Sequence, residues 1–128
     1  MKTLLMICLS ASLLACADPV KKTTQEMELA KNTETQPTSC QEVIEKIARK
    51  LDEKSRETLR KTKKEGLALF HFSWGMGIRN SFGLWKDQSP VRLSCAERVG
   101  QKDIHPDNAS GIIMEEVWKL VNSDNISK

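Results

Sequence analysis

One stretch leaves a chain of this kind few choices. Gly66–Trp85 reads GLALFHFSWGMGIRNSFGLW and holds all three Phe and two of the three Trp. Arg79 is its only full charge, and His71 is one of two histidines in the chain. Leu67, His71, Trp74 and Ile78 recur at a helical 4-3-4 spacing, while Leu69, Phe72 and Met76 fall on another face. The pattern predicts a helix over Leu67–Arg79 that is apolar nearly all round, hence buried on several sides and central to the fold. The run is too short, and too interrupted by His71 and Arg79, to cross a membrane. Asn80 is expected to end the helix in the left-handed conformation, and Gly83 to turn Phe82, Leu84 and Trp85 back onto the core. Gly75 and Gly77 each weaken a helix by about 1 kcal/mol relative to Ala. Ser73 and Gly77, four apart, form a small-residue notch that predicts a closely packed second helix.

Helical signals flank this stretch on both sides. Ser39-Cys40-Gln41-Glu42 matches a capping box, and Val43, Ile44, Ile47, Ala48 and Leu51 mark the buried stripe behind it. Asp52–Lys61 is highly charged and reads as a short helix or an exposed connector. Thr62-Lys63-Lys64-Glu65 is a second capping-box pattern, placed to start the central helix. Ser89-Pro90 reads as an N-cap and first helical residue. Val91, Cys95 and Val99 would share a face there, with Gly100 closing the helix. Asp107 or Asn108 is placed to cap a last helix with Ile113, Val117, Leu120 and Val121 inward and Trp118 at its edge. No strand alternation stands out. The fold class is therefore all-α, four to five short helices in a single small domain.

The N-terminus addresses location. Lys2 precedes a short apolar run, Leu4–Leu14, which reads as a secretory signal peptide. Its end, Leu13-Leu14-Ala15-Cys16, resembles the lipobox of bacterial lipoproteins. That resemblance implies cleavage before Cys16, a diacylglyceryl thioether on its thiol and a stable membrane anchor, since two or more acyl chains hold where one does not. Ala17 follows Cys16, with Asp18 one later; in a source with two membranes this implies the outer membrane, facing the periplasm. Residues 17–38 are polar and Thr-, Lys-, Glu- and Gln-rich, and read as a flexible tether. The expected organisation is a signal peptide at 1–15, lipidated Cys and tether at 16–38, helical domain at 39–122 and a frayed tail at 123–128.

Charge and cysteines follow from that address. The net charge of +3 becomes +2 once Lys2 leaves with the signal, too balanced to argue for nucleic acid. Arg56, Arg60, Lys61, Lys63 and Lys64 form a basic cluster that reads first as a solvated face and second as a contact for anionic lipid. Of four cysteines, Cys8 belongs to the signal and Cys16 to the lipobox. Cys40 and Cys95 remain, in an oxidising compartment, and predict one disulfide.

Two blocks, HFSWGMGIRNSFGLW at His71–Trp85 and HPDNASGII at His105–Ile113, together resemble a family of small bacterial domains of unknown function. Its members carry an IRN-x-x-GLW block followed by an HPD-x-x-S block. The resemblance spans roughly Leu59–Leu120, implies a helical domain and brings no activity with it.

His71, Arg79, His105 and Asp107 are the one constellation suited to chemistry: a His base, an orienting carboxylate and an anion-holding Arg. The plainer reading makes His71 a hydrogen-bonded core residue, His105-Pro106-Asp107 a loop and cap, and Arg79 a partner for Asp107. Arg79 and Asp107 are therefore expected to meet, because an unpaired buried charge is costly. No CxxC, HxxxH, glycine-rich phosphate loop or GxSxG motif is present, so neither a metal site, a cofactor nor a catalytic residue is assigned. The candidate binding residues are Arg79, Asn80, Trp85, His105 and Asp107. Function is expected to be that of a lipid-anchored protein-binding module of the envelope, inhibitor- or immunity-like. The alternatives are a hydrolase-like enzyme using His105 and Asp107, or a structural cell-wall lipoprotein.

Overall fold

The computed structural model describes residues 35–123. The signal peptide, Cys16, nearly all of the tether and most of the tail lie outside the described residues. The fold is all-α. Its helices are α1 (Cys40–Lys50), α2 (Glu53–Lys61), α3 (Met76–Ser81), α4 (Pro90–Glu97) and α5 (Pro106–Ser123). A 3₁₀ segment, Lys64–Phe70, and a π-helical turn, His71–Gly75, run directly into α3.

Contiguous polar residues decide where α1, α2 and α4 begin. Ser39 Oγ accepts from the Glu42 amide at 3.2 Å, and the Glu42 carboxylate reaches back to the Thr38 amide at 2.7 Å. Asp52 caps α2 by accepting from the Ser55 amide at 2.7 Å, so the charged stretch is a helix. Ser89 Oγ accepts from the Arg92 amide, with Pro90 at the first position of α4.

The second capping box fails. Thr62 Oγ1 donates backwards to the Thr58 carbonyl at 2.7 Å, finishing α2, and the 3₁₀ segment starts at Lys64, with Lys63 before it giving no side-chain cap. Nor is Leu67–Arg79 one α-helix. The backbone tightens to 3₁₀, widens to π and only then becomes α, so faces drawn at 3.6 residues per turn do not persist. Leu67 and Ile78 are buried, but Leu69, Phe72 and Met76 are exposed at 83%, 79% and 44%. Asn80 stays inside α3. The left-handed residue is Gly83, at φ 63°, with Leu84 N–H donating to the Arg79 carbonyl across the turn. Leu84 is thereby fully buried and Phe82 half-buried, while Trp85 remains 54% exposed.

The element at the centre is α5, not the aromatic stretch. It packs against α1, α2, α3, α4 and both the 3₁₀ and π segments. Small Ala109 and Ser110 and apolar Ile113, Met114, Val117 and Val121 form its buried stripe. Leu120 and Val99 lie outside the core, against expectation, each more than a third exposed. Trp118 sits at the edge and donates from Nε1 to the Thr62 carbonyl at 2.8 Å, tying the end of α2 to α5. Cys40 and Cys95 are both buried and joined, with Cα atoms 5.0 Å apart, which fastens the start of α1 to α4.

Candidate functional site

The site is assembled where the exit of the aromatic stretch meets the entry of α5. Arg79, on α3, is 3% exposed. Its Nη1 donates to Ser110 Oγ at 2.9 Å and its Nη2 to the His71 carbonyl at 3.3 Å. Its Nε lies 3.2 Å from Asp107 Oδ1, an ion pair whose N–H points off the oxygen. The guanidinium also stands 5.9 Å from the centre of the Trp85 ring. Room for it comes from Gly75, where a Cβ would fall 3.1 Å from Nη1 and 3.4 Å from Met114 Cε. Gly77, the expected contact glycine, has no neighbour within 4 Å of that position. The close approach thus falls two residues earlier, in the π turn, because the change of helix type rotates Gly75 rather than Gly77 toward α5.

Both imidazoles turn toward the other carboxylate oxygen of Asp107. His71 Nε2 is 3.7 Å from Oδ2, and His105 Nδ1 is 3.5 Å from it. His105 Nδ1 also accepts from the Asp107 backbone amide at 3.2 Å. His105 is therefore the residue that caps α5. Asp107, expected as a cap, is the second residue of the helix and directs its carboxylate at Arg79 and the two rings. The edges of two further aromatic contacts frame the junction: Trp85 on His105, with ring centres 5.9 Å apart, and Phe72 on His71, at 5.1 Å. Asn80 does not join. It is exposed and lines a different cleft with Ser81, Phe82 and Gly83.

Chemically, the junction is well positioned but poorly arranged for hydrolysis. A carboxylate that orients a catalytic His accepts from its Nδ1–H. Here Nδ1 is itself the acceptor for a backbone N–H, so it faces Asp107 Oδ2 without a proton to offer. The nearest hydroxyl, Ser110 Oγ, is fully buried, donates to the Asp107 carbonyl at 2.9 Å and accepts from Arg79. Among the described residues no group of three or more His, Cys, Asp or Glu is arranged to hold a metal ion.

Sequence reasoning missed a second buried arginine. Arg92, on α4, grips Asp103 through two bonds of 2.7 and 3.0 Å and donates from Nη1 to the Leu84 and Lys86 carbonyls. It clamps the loop carrying Trp85 to the connector before α5. The bond to Arg92 holds the Asp103 carboxyl below the usual carboxylate range. The only available signal was an arginine placed between Val91 and Leu93 in an otherwise weakly charged helix.

The basic cluster dissolves on inspection. Arg56 donates to the Ala48 and Leu51 carbonyls at the end of α1. Arg60 pairs with Glu53 and Glu57, Lys61 with Glu57, and Lys64 with Glu115. Four of the five cations, all but Lys63, are thus engaged with carbonyls or carboxylates.

No curated protein and no solved structure matches the chain. One family model does, over residues 36–120, about two-thirds of the sequence and more than the blocks at His71–Trp85 and His105–Ile113 alone. With α1 to α4, most of α5 and the Arg79–Asp107 junction inside that span, the chain belongs to the family described as the domain of unknown function DUF6794.

Proposed function

We propose that this is a lipid-anchored protein of the bacterial envelope whose helical domain binds another protein through the junction of α3 and α5. The observation that carries the reading is Trp85: more than half exposed, yet held between the Arg79 guanidinium and the His105 ring. A large aromatic side chain fixed in place loses little freedom on binding, and tryptophan and arginine are the residues that dominate interface energetics. Asp107 and the two imidazoles supply a polar rim beside it. The Leu-Leu-Ala-Cys ending of the leader supports the anchor. An inhibitor- or immunity-like role suits a small tethered domain of this kind, by analogy of form alone.

The hydrolase-like alternative draws on the approach of His105 to Asp107, and the acceptor role of His105 Nδ1 weighs against it. A structural role at the cell wall has no particular residue in its favour.

Affinity capture from envelope fractions, with the mature lipidated protein as bait, tests the proposal. One stoichiometric partner should be retained by the wild type and lost by Trp85→Ala at unchanged melting temperature. Equal capture by both proteins would overturn the assignment of the surface. Turnover of an ester, amide or phosphoester that disappears on His105→Ala would favour the enzyme instead.

A further inference from the structure

We infer that the exposed apolar side chains of Leu69, Phe72 and Met76 rest on the phospholipid surface to which the chain is anchored, an inference that depends on the reading of Cys16 as lipidated. Leu69 and Phe72 are the two most exposed large apolar side chains among the described residues, and Met76 is exposed as well. They lie close together in sequence, one in each of the 3₁₀, π and α segments, and no charged residue interrupts the chain between Gly66 and Ile78. None presents a strong hydrogen-bonding group, so water gains nothing at them and an apolar medium does.

Chain length selects the occupant. From Cys16 to Gln36 the chain can reach at most about 70 Å. A lipid anchor would keep every copy of the domain within that distance of the bilayer. Contact with lipid is then intramolecular, at an effective concentration on the order of millimolar, whereas a second copy or a soluble partner must be recruited. Side chains of this type settle about 5–10 Å into the boundary of headgroups and acyl chains and need no pocket. Because most of the neighbouring basic residues are already paired with Glu53, Glu57 and Glu115, the contact is apolar and should form on zwitterionic as well as anionic vesicles. The Phe72 ring touches His71, so the junction lies at the rim of this contact, and its partner would be met at the membrane surface.

The test uses the mature lipidated protein reconstituted into phosphatidylcholine vesicles, with and without phosphatidylglycerol. An environment-sensitive fluorophore is placed at Phe72→Cys or, for comparison, at Glu45→Cys on the exposed face of α1; mass spectrometry confirms that Cys40–Cys95 is retained. The label at 72 should shift to the blue and be quenched by nitroxide lipids at least about twofold more than the label at 45, on both vesicle types. In the unlabelled protein, amide exchange over residues 67–78 should slow on vesicles relative to micelles, and Leu69→Ser/Phe72→Ser should reverse this. Equal, weak quenching at both sites on protein that floats with the vesicles overturns the lipid contact and leaves the anchor intact. Protein that does not float overturns both. A blue shift at 72 that grows with protein concentration in micelles, or appears only with envelope protein added, assigns the face to a second copy or to a protein partner and overturns the inference.

Discussion

Two glycines two residues apart should respond to the same substitution in opposite directions. Gly77 is exposed, and a methyl group there meets nothing within 4 Å. Gly77→Ala should therefore gain helix propensity and reduce the freedom of the unfolded chain, a stabilisation of up to about 1 kcal/mol. At Gly75 the methyl would stand 3.1 Å from Arg79 Nη1 and 3.4 Å from Met114 Cε. An ordinary arginine would swing aside. This one is held by Ser110, the His71 carbonyl and Asp107, so relief comes only by loosening those contacts or displacing α5. Overpacking of that sort costs about 1–3 kcal/mol, less the same propensity gain of about 1. The net expectation is a loss of about 1 kcal/mol for Gly75→Ala and a separation of about 2 kcal/mol between the variants. For a domain of this size that is about 10 °C in Tm. Thermal and urea unfolding of both, with the disulfide intact, decide it. A Gly75→Ala protein as stable as Gly77→Ala would show that Arg79 is not locked, and the description of the junction as rigid would fall with it.

The pair beneath Trp85 should be asymmetric: Asp107→Ala strands a buried guanidinium and should cost about 2–4 kcal/mol, whereas Arg79→Met leaves a carboxylate that water already reaches and should cost less. Equal losses in urea unfolding would contradict the burial argument. Reducing Cys40–Cys95, 55 residues apart in sequence, should lower stability by about 4 kcal/mol on the chain-entropy model; unfolding curves with and without reductant check this, and superimposable curves would reject it. Asp103 is held ionised below the usual carboxylate range by Arg92, so its contribution is complete above that range and is lost as pH falls through the lowered pKa. Asp103→Asn should therefore flatten the acid limb of the stability profile, and an unchanged limb would mean the clamp is silent. Cys16→Ser should release the protein from membranes or leave it as an unprocessed precursor; a processed, membrane-bound mutant would rule out lipidation there.

How much of this was legible depends on the range over which each feature is decided. The starts of α1 and α4 were readable because Ser39 and Ser89 bond to amides three residues away, within their own words of sequence. The approach of Arg79 to Asp107 was readable for a different reason: the lone charge of a largely apolar stretch must find a partner wherever the chain supplies one. The division of Lys64–Ser81 into 3₁₀, π and α was not readable. Over so short a run, apolar spacings of three and four fit 3.0, 3.6 and wider periods alike, and only the packing against α5 selects among them. That one ambiguity produced most of the other errors. It moved the close glycine from Gly77 to Gly75, put Leu69 and Phe72 outside and left Asn80 within α3, while Gly83 made the turn.

The same irregularity accounts for the character of the site. Gly75, within the π turn, leaves the room that Arg79 fills, and Arg79 Nη2 reaches the His71 carbonyl at the start of that turn at 3.3 Å. Both Arg79 Nη atoms thus donate to groups of the fold, one to its own stretch of chain and one to α5, and Arg92 pins the intervening loop from the other side. Trp85 hangs between these two clamps. An exposed tryptophan on a mobile loop would be an aggregation hazard with little affinity to offer. Held by two buried arginines, each consuming polar groups that could otherwise serve solvation, it has a fixed position and an unfilled face. It is 54% exposed between them, which is what the proposed binding surface needs.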